Sequence, residues 1–175
     1  MKRFLFFVAM AFATMAFACQ ETQAQTPVSY EYVIQKDGAT ADQIYSALVD
    51  WIATDFKAVD GDFYRDKEEK VITKDALFDY EATRRITACY GGHISYKLKF
   101  QCRDGRFKIM MVNFEHHNAP GNAATCVLGP ITDQAPDDRF AKEIWEDILQ
   151  KIAAYALDMK ARMENLPVNP PSDDW

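Results

Sequence analysis

The sequence predicts an α+β fold, an antiparallel sheet carrying two helices on one face, in the order β-α-β-β-β(-β)-α. Three observations lead there. Apolar and polar residues alternate over 28–34 and again over 94–102, the period-two signature of strands with one buried face. Apolar residues recur at helical spacing over 44–56 and over 140–163. Asp104-Gly105 separates two β-rich runs and marks a hairpin. Two apolar helix stripes and one apolar sheet face are all buried together when both helices stack on that face.

The elements follow in chain order. Val28, Tyr30, Tyr32 and Ile34 alternate with Ser29, Glu31 and Gln35 in a first strand that Lys36-Asp37-Gly38 ends. Thr40, with Gln43 three residues on, is a capping box opening a helix from 41 to about 57, whose stripe is Ile44, Leu48, Trp51, Ile52 and Phe56. Trp51 is expected to be buried against the sheet, where its truncation would cost about 3–5 kcal/mol. Residues 58–68 are polar and carry the turn signal Asp60-Gly61-Asp62, so they read as a connection. Val71 to Tyr80 is a second strand with Ile72, Ala76, Phe78 and Tyr80 on one face, interrupted in pattern by Lys74. The segment 82–89 is either strand or loop. Ile94, Tyr96, Leu98, Phe100 and Cys102 then pair through Asp104-Gly105 with Phe107 to Phe114. A loop over 116–136 contains Pro120-Gly121, Gly129-Pro130 and Pro136, after which Asp137 or Asp138 caps a helix carrying Phe140, Ile144, Trp145, Ile148, Ile152, Tyr155, Met159 and Met163. The single domain spans 28–165, and the Pro-rich stretch 166–175 reads as a disordered tail.

Lys2 and Arg3 precede an apolar run from Phe4 to Phe17, with small residues at Ala16, Ala18 and Ala24, the order of parts in a secretory signal peptide over 1–24. The run is short of the ~20 residues that cross a bilayer. Cleavage after Ala24 is favoured; cleavage after Ala18 and a lipid anchor on Cys19 are the alternatives. The protein is therefore expected to be exported, periplasmic or envelope-associated. Export permits disulfides among Cys89, Cys102 and Cys126, of which at least one stays unpaired within the chain. Cys102 falls in the apolar alternation and reads as a small core hydrophobe.

With 20 basic and 26 acidic residues, the net charge of −6 argues against nucleic acid as a partner, since phosphate neutralisation needs a basic surface. Within that acidic chain, residues 84–108 hold seven cations and one acid, Asp104. The candidate binding set is Lys97, Lys99, Arg84, Arg85, Arg103 and Lys108, with Lys97 and Lys99 on the face opposite the helices. Such a face suits an anionic group on a glycan, a lipid head or an acidic partner. Glu115-His116-His117, with His93 and Cys126 elsewhere, has the residue types of a zinc site or a Cys-His nucleophile. Adjacent residues on a strand point to opposite faces, so His116 and His117 do not share one metal without a bend. The cluster reads as a polar strand end running into a loop, and no catalytic residue, metal or cofactor is assigned.

Tyr45-Ser46-Ala47-Leu48-Val49-Asp50-Trp51, Lys97-Leu98-Lys99-Phe100 and Arg103-Asp104-Gly105-Arg106-Phe107 resemble a family of exported bacterial proteins of unknown function with a TATA-binding-protein-like (TBP-like) fold. The resemblance spans about 28–163. It implies the same order of elements and no known activity. The expected function is a non-enzymatic binding module of the cell envelope, its partner an envelope component or another protein. The alternatives are a small envelope enzyme or metal site using His116 or His117, and a structural subunit that self-associates through its sheet.

Overall fold

The capping box forms as its sequence predicts. Gln43 N donates to the Thr40 hydroxyl at 3.3 Å while Thr40 N donates to the Gln43 side-chain carbonyl at 2.8 Å, and helix α1 (Ala41–Asp55) grows from that closed first turn. The computed structural model describes residues 25–82, 85–121 and 126–168, with backbone alone for 85–87. The expected signal peptide and the Arg84 and Arg85 side chains lie outside the described residues.

Strand β1 (Tyr30–Gln35) precedes α1, and β2 (Tyr64–Asp66) and β3 (Val71–Tyr80) follow it. The segment that read as strand or loop closes in a 3-10 helix, Arg85–Tyr90. The hairpin is β4 (Gly92–Arg103) with β5 (Arg106–Asn118), then come β6 (Gly129–Pro130) and helix α2 (Arg139–Glu164). Every pairing is antiparallel. The sheet order is β1-β5-β4-β3-β2, and β6 pairs β5 past the end of β1, opposite Glu115 and His116. Strands β2 and β6 lie in the two stretches the sequence reads as connections. Three and two residues are too few to show a period, and each is a strand because β3 or β5 offers it an edge.

Both helices cover one face of the sheet. Ile94, Tyr96, Leu98, Phe100 and Cys102 of β4 are buried there with Ile44, Leu48 and Ile52 of α1 and Ile144, Trp145, Ile148, Ile152 and Met159 of α2. Two polar ties fix α2 on the sheet: Tyr80 Oη donates to Asp147 at 2.8 Å, and the Tyr96 and Tyr155 hydroxyls meet at 2.9 Å. Asp138 caps α2 by accepting from Phe140 N and Ala141 N. No helix among the described residues is long and apolar enough to cross a membrane.

Two expectations need correction. Trp51 is half-buried, because Ile44, Leu48 and Ile52 at four-residue intervals occupy the centre of the stripe and push Trp51 to its flank, edge-on to Phe56 and Phe100. Leu166, expected in a disordered tail, is 7% exposed, and its carbonyl accepts from Lys36 Nζ at 2.7 Å. The rest of that expected tail, from 169 on, lies outside the described residues.

Candidate functional site

The sheet face away from the helices is where the cations gather. Alternation puts Lys97, Lys99, Gln101 and Arg103 of β4 there, beside Arg106, Lys108, Met110 and Val112 of β5, with Met110 opposite Lys99 and Val112 opposite Lys97. The expected placement of Lys97 and Lys99 on the face opposite the helices therefore holds.

The face is not uniformly basic. Lys97 Nζ lies 2.8 Å from Asp75 of β3, and Lys108 Nζ lies 2.6 Å from Glu31 of β1. Among the described residues Lys99, Arg103 and Arg106 carry no ion pair. Arg103, Arg106 and Lys108 line one concavity of about 310 Å³ with Val33 and Gln101, at the hairpin end of the sheet. Lys97 belongs to a different concavity, shared with Asp75, Leu77 and Asp79. The candidate set thus divides, and Arg106 joins it.

Asp104, the one acid of the basic segment, is directed away from these cations. Its carboxylate accepts from Ala41 N at 2.7 Å, at the positive end of α1. Gly105 supplies the φ of 72° that the two-residue turn needs, its N donates to Ala39 O, and its carbonyl accepts from Lys36 N, both at 2.8 Å. The Arg-Asp-Gly-Arg turn is therefore pinned to the β1–α1 connection, and that anchorage sets where Arg103 and Arg106 project.

The histidines separate by face. A β-bulge at Asn113, with φ of 57°, places two β5 residues against Tyr96 and shifts the register between Ser95 and Lys97. Before it Phe107, Ile109 and Met111 are buried; after it Phe114 and His116 are. His116 is fully buried, with Leu128 N donating to Nδ1 at 3.1 Å and Nε2 meeting Tyr90 O at 2.8 Å. These partners require a neutral ring protonated on Nε2, so neither nitrogen is free for a metal or a proton transfer. His117 sits on the other face, bonded to Ser95 Oγ at 2.9 Å and stacked on His93 with ring centroids 4.9 Å apart. Among the described residues no three ligating side chains gather as a metal site would require.

Cys89 and Cys126 form a disulfide. Tyr90 and Leu128, which hold the His116 ring, lie one and two residues from its cysteines, so the imidazole is a buried pin beneath the bridge. Sequence reasoning missed this role; the break in period two after Met111 was its only trace. Cys102 is buried and unpaired, and burial pushes its thiol up to about 12, the behaviour of a core hydrophobe.

Burial pulls the His116 pKa down, against the smaller upward pull of the Tyr90 carbonyl. The unfolded chain, with its histidine near 6.5, therefore binds a proton that the folded chain refuses. Stability from this group is full above about pH 6.5 and declines as the pH falls below it toward the lowered folded pKa, at up to about 1.4 kcal/mol per pH unit. Urea unfolding of wild type and His116→Gln between pH 7.5 and 5 should show this slope in the wild type alone; parallel curves would refute the neutral pin.

Residues 30–117 match the family model described as a domain of unknown function (DUF4468) with TBP-like fold. Among solved structures, the chain is similar to a DUF4468 family protein from Bacteroides ovatus, at 14% identity and a TM-score of 0.51, over 83% of this chain and 90% of that one. It is also similar to a TBP-like protein from Parabacteroides distasonis, at 15% identity and a TM-score of 0.48, over 75% and 91%. No curated protein matches the chain.

Proposed function

The chain belongs to the DUF4468 family, a domain of unknown function with a TBP-like fold, and from that premise we propose that it is an exported binding module of the bacterial envelope which holds an anionic partner on its open sheet face. The observation that carries this reading is the concavity lined by Arg103, Arg106 and Lys108, two of whose three cations have no acid beside them among the described residues. Guanidinium groups present paired donors that match carboxylate, sulfate or phosphate oxygens. Acids elsewhere on the surface offset the local field little, because the Debye length is about 8 Å at physiological salt. The Lys2-Arg3 start with its apolar run supports export, as does the Cys89–Cys126 bridge, which suits an oxidising compartment.

Chromatography on a dextran sulfate resin tests it. The protein should be retained at low salt despite its acidic pI and elute well before about 1 M salt, where the Debye length falls to about 3 Å. The triple variant Arg103→Gln, Arg106→Gln, Lys108→Gln should pass unretained with its thermal midpoint almost unchanged, since exposed charges contribute little to folding. Wild-type protein in the flow-through at low salt, or equal retention of the variant, would sink the reading.

A further inference from the structure

Strand β2 pairs β3 only over Val71–Thr73, and beyond it the edge of β3 away from β4 runs on through Lys74–Tyr80 with no strand on it among the described residues. That free length is about 24 Å at ~3.4 Å per residue. Cys102 N donates to Lys70 O, and 102 pairs with 70 in the same register that joins β4 to β3. Even-numbered residues of β3 therefore turn their backbone groups to β4, and odd-numbered ones turn theirs outward. The amides and carbonyls of Asp75, Leu77 and Asp79 are the unpaired row, with no partner among the described residues.

Sheet edges are usually blunted by proline, a bulge or extreme shortness. This edge has none of them, and the charges along it are Lys74, which turns to the helix side and donates to Asp62 O, and the acids Asp75 and Asp79 on the open side. Its Leu77 is 58% exposed, and it lines a concavity of about 1000 Å³ with Phe56, Asp75 and Asp79, whose wall also carries Lys57, Lys74 and Lys97. On the open face the outward row reads acid, apolar, acid. A second copy laid antiparallel and centred on Leu77 would set Asp75 against Asp79 twice, and like charges directly opposite repel. The β1 edge offers no such pattern, because its corresponding row is Glu31, Val33 and Gln35, with one acid where β3 has two. Asp75 shares its charge with Lys97 as Glu31 does with Lys108, while Asp79 carries no ion pair among the described residues.

We infer that the free edge of β3 accepts an extended segment of a partner protein as an added strand, one carrying Lys or Arg opposite Asp75 and Asp79 and an apolar side chain opposite Leu77. The backbone row supplies the hydrogen bonds and the alternating side chains supply the choice of partner. Because acid, apolar, acid reads the same in both directions, the segment fits parallel or antiparallel. This surface is independent of the Arg103 and Arg106 concavity.

The test uses the intact protein and two labelled, end-capped heptapeptides, Thr-Lys-Thr-Val-Thr-Lys-Thr and its analogue with Glu in place of both Lys. Fluorescence anisotropy should show the basic peptide binding about tenfold more tightly, the swing expected when two cross-strand pairs change from attraction to repulsion. Hydrogen exchange should slow at the amides of Asp75, Leu77 and Asp79. Leu77→Pro removes an outward donor without touching the β4 ladder and should abolish binding. Asp79→Lys, which keeps the strand intact whether or not the proline variant folds, should erase or reverse the preference. The inference is overturned if the basic peptide at millimolar concentration leaves those three amides unprotected, if both peptides bind equally, if protection falls on β1 instead, or if sedimentation shows the edge already closed by a second copy.

Discussion

Phe100→Ala should lower the unfolding free energy by about 3–5 kcal/mol, the range for deleting a fully buried phenylalanine. Phe100 is completely buried in β4, with β5 and β3 on either side and the rings of Trp51 and Phe107 each 6.1 Å from its own. Paired strands on both sides hold its backbone, so the site cannot collapse and most of the cavity remains. Trp51→Ala should cost less, about 1–3 kcal/mol, because part of the indole is already in water. Denaturant titration of both variants checks the order, with an unchanged m-value showing that the same surface is exposed. A Trp51 variant less stable than the Phe100 variant would place the centre of the core nearer α1 than the burial pattern does.

Loss of the Cys89–Cys126 bridge should cost about 4 kcal/mol. The cysteines are 37 residues apart, and the chain-entropy expression for a loop of that length gives about 3.8 kcal/mol from constraint of the unfolded chain. The double variant Cys89→Ser, Cys126→Ser should therefore unfold at distinctly lower denaturant. The native fold should survive, because the His116 ring still joins Tyr90 to Leu128. Calorimetry with and without reductant should shift the wild type and leave the double variant where it is. Buried Cys102, with its thiol held neutral, should take no part in exchange. A reductant-insensitive wild type would mean that the bridge constrains little of the unfolded chain.

Local rules that act within a few residues were legible before any fold was known. Thr40 and Gln43 close a helix start because N-cap and N3 are neighbours in the chain, and Val71–Tyr80 and Ile94–Cys102 announce strands because a pleat sends alternate side chains to opposite faces. Asp137 and Asp138 mark the start of α2 to within one residue by the same short-range logic, and Asp138 is the one that caps it. The α+β class followed from those periods, and with it the face on which Lys97 and Lys99 lie.

What needed the tertiary structure depends on residues far apart in the chain. Strands β2 and β6 exist only as partners of β3 and β5. The Asn113 bulge accommodates a local mismatch between β4 and β5, and it alone turns His116 inward and His117 outward. Asp75 and Glu31 reach Lys97 and Lys108 because strands distant in sequence lie side by side, which leaves Lys99, Arg103 and Arg106 as the unpaired cations of the β4–β5 hairpin among the described residues. A count of charge along the segment could not separate these groups. Charge in sequence is additive, whereas electrostatics in a sheet depends on distances of a few Å between side chains that the fold brings together.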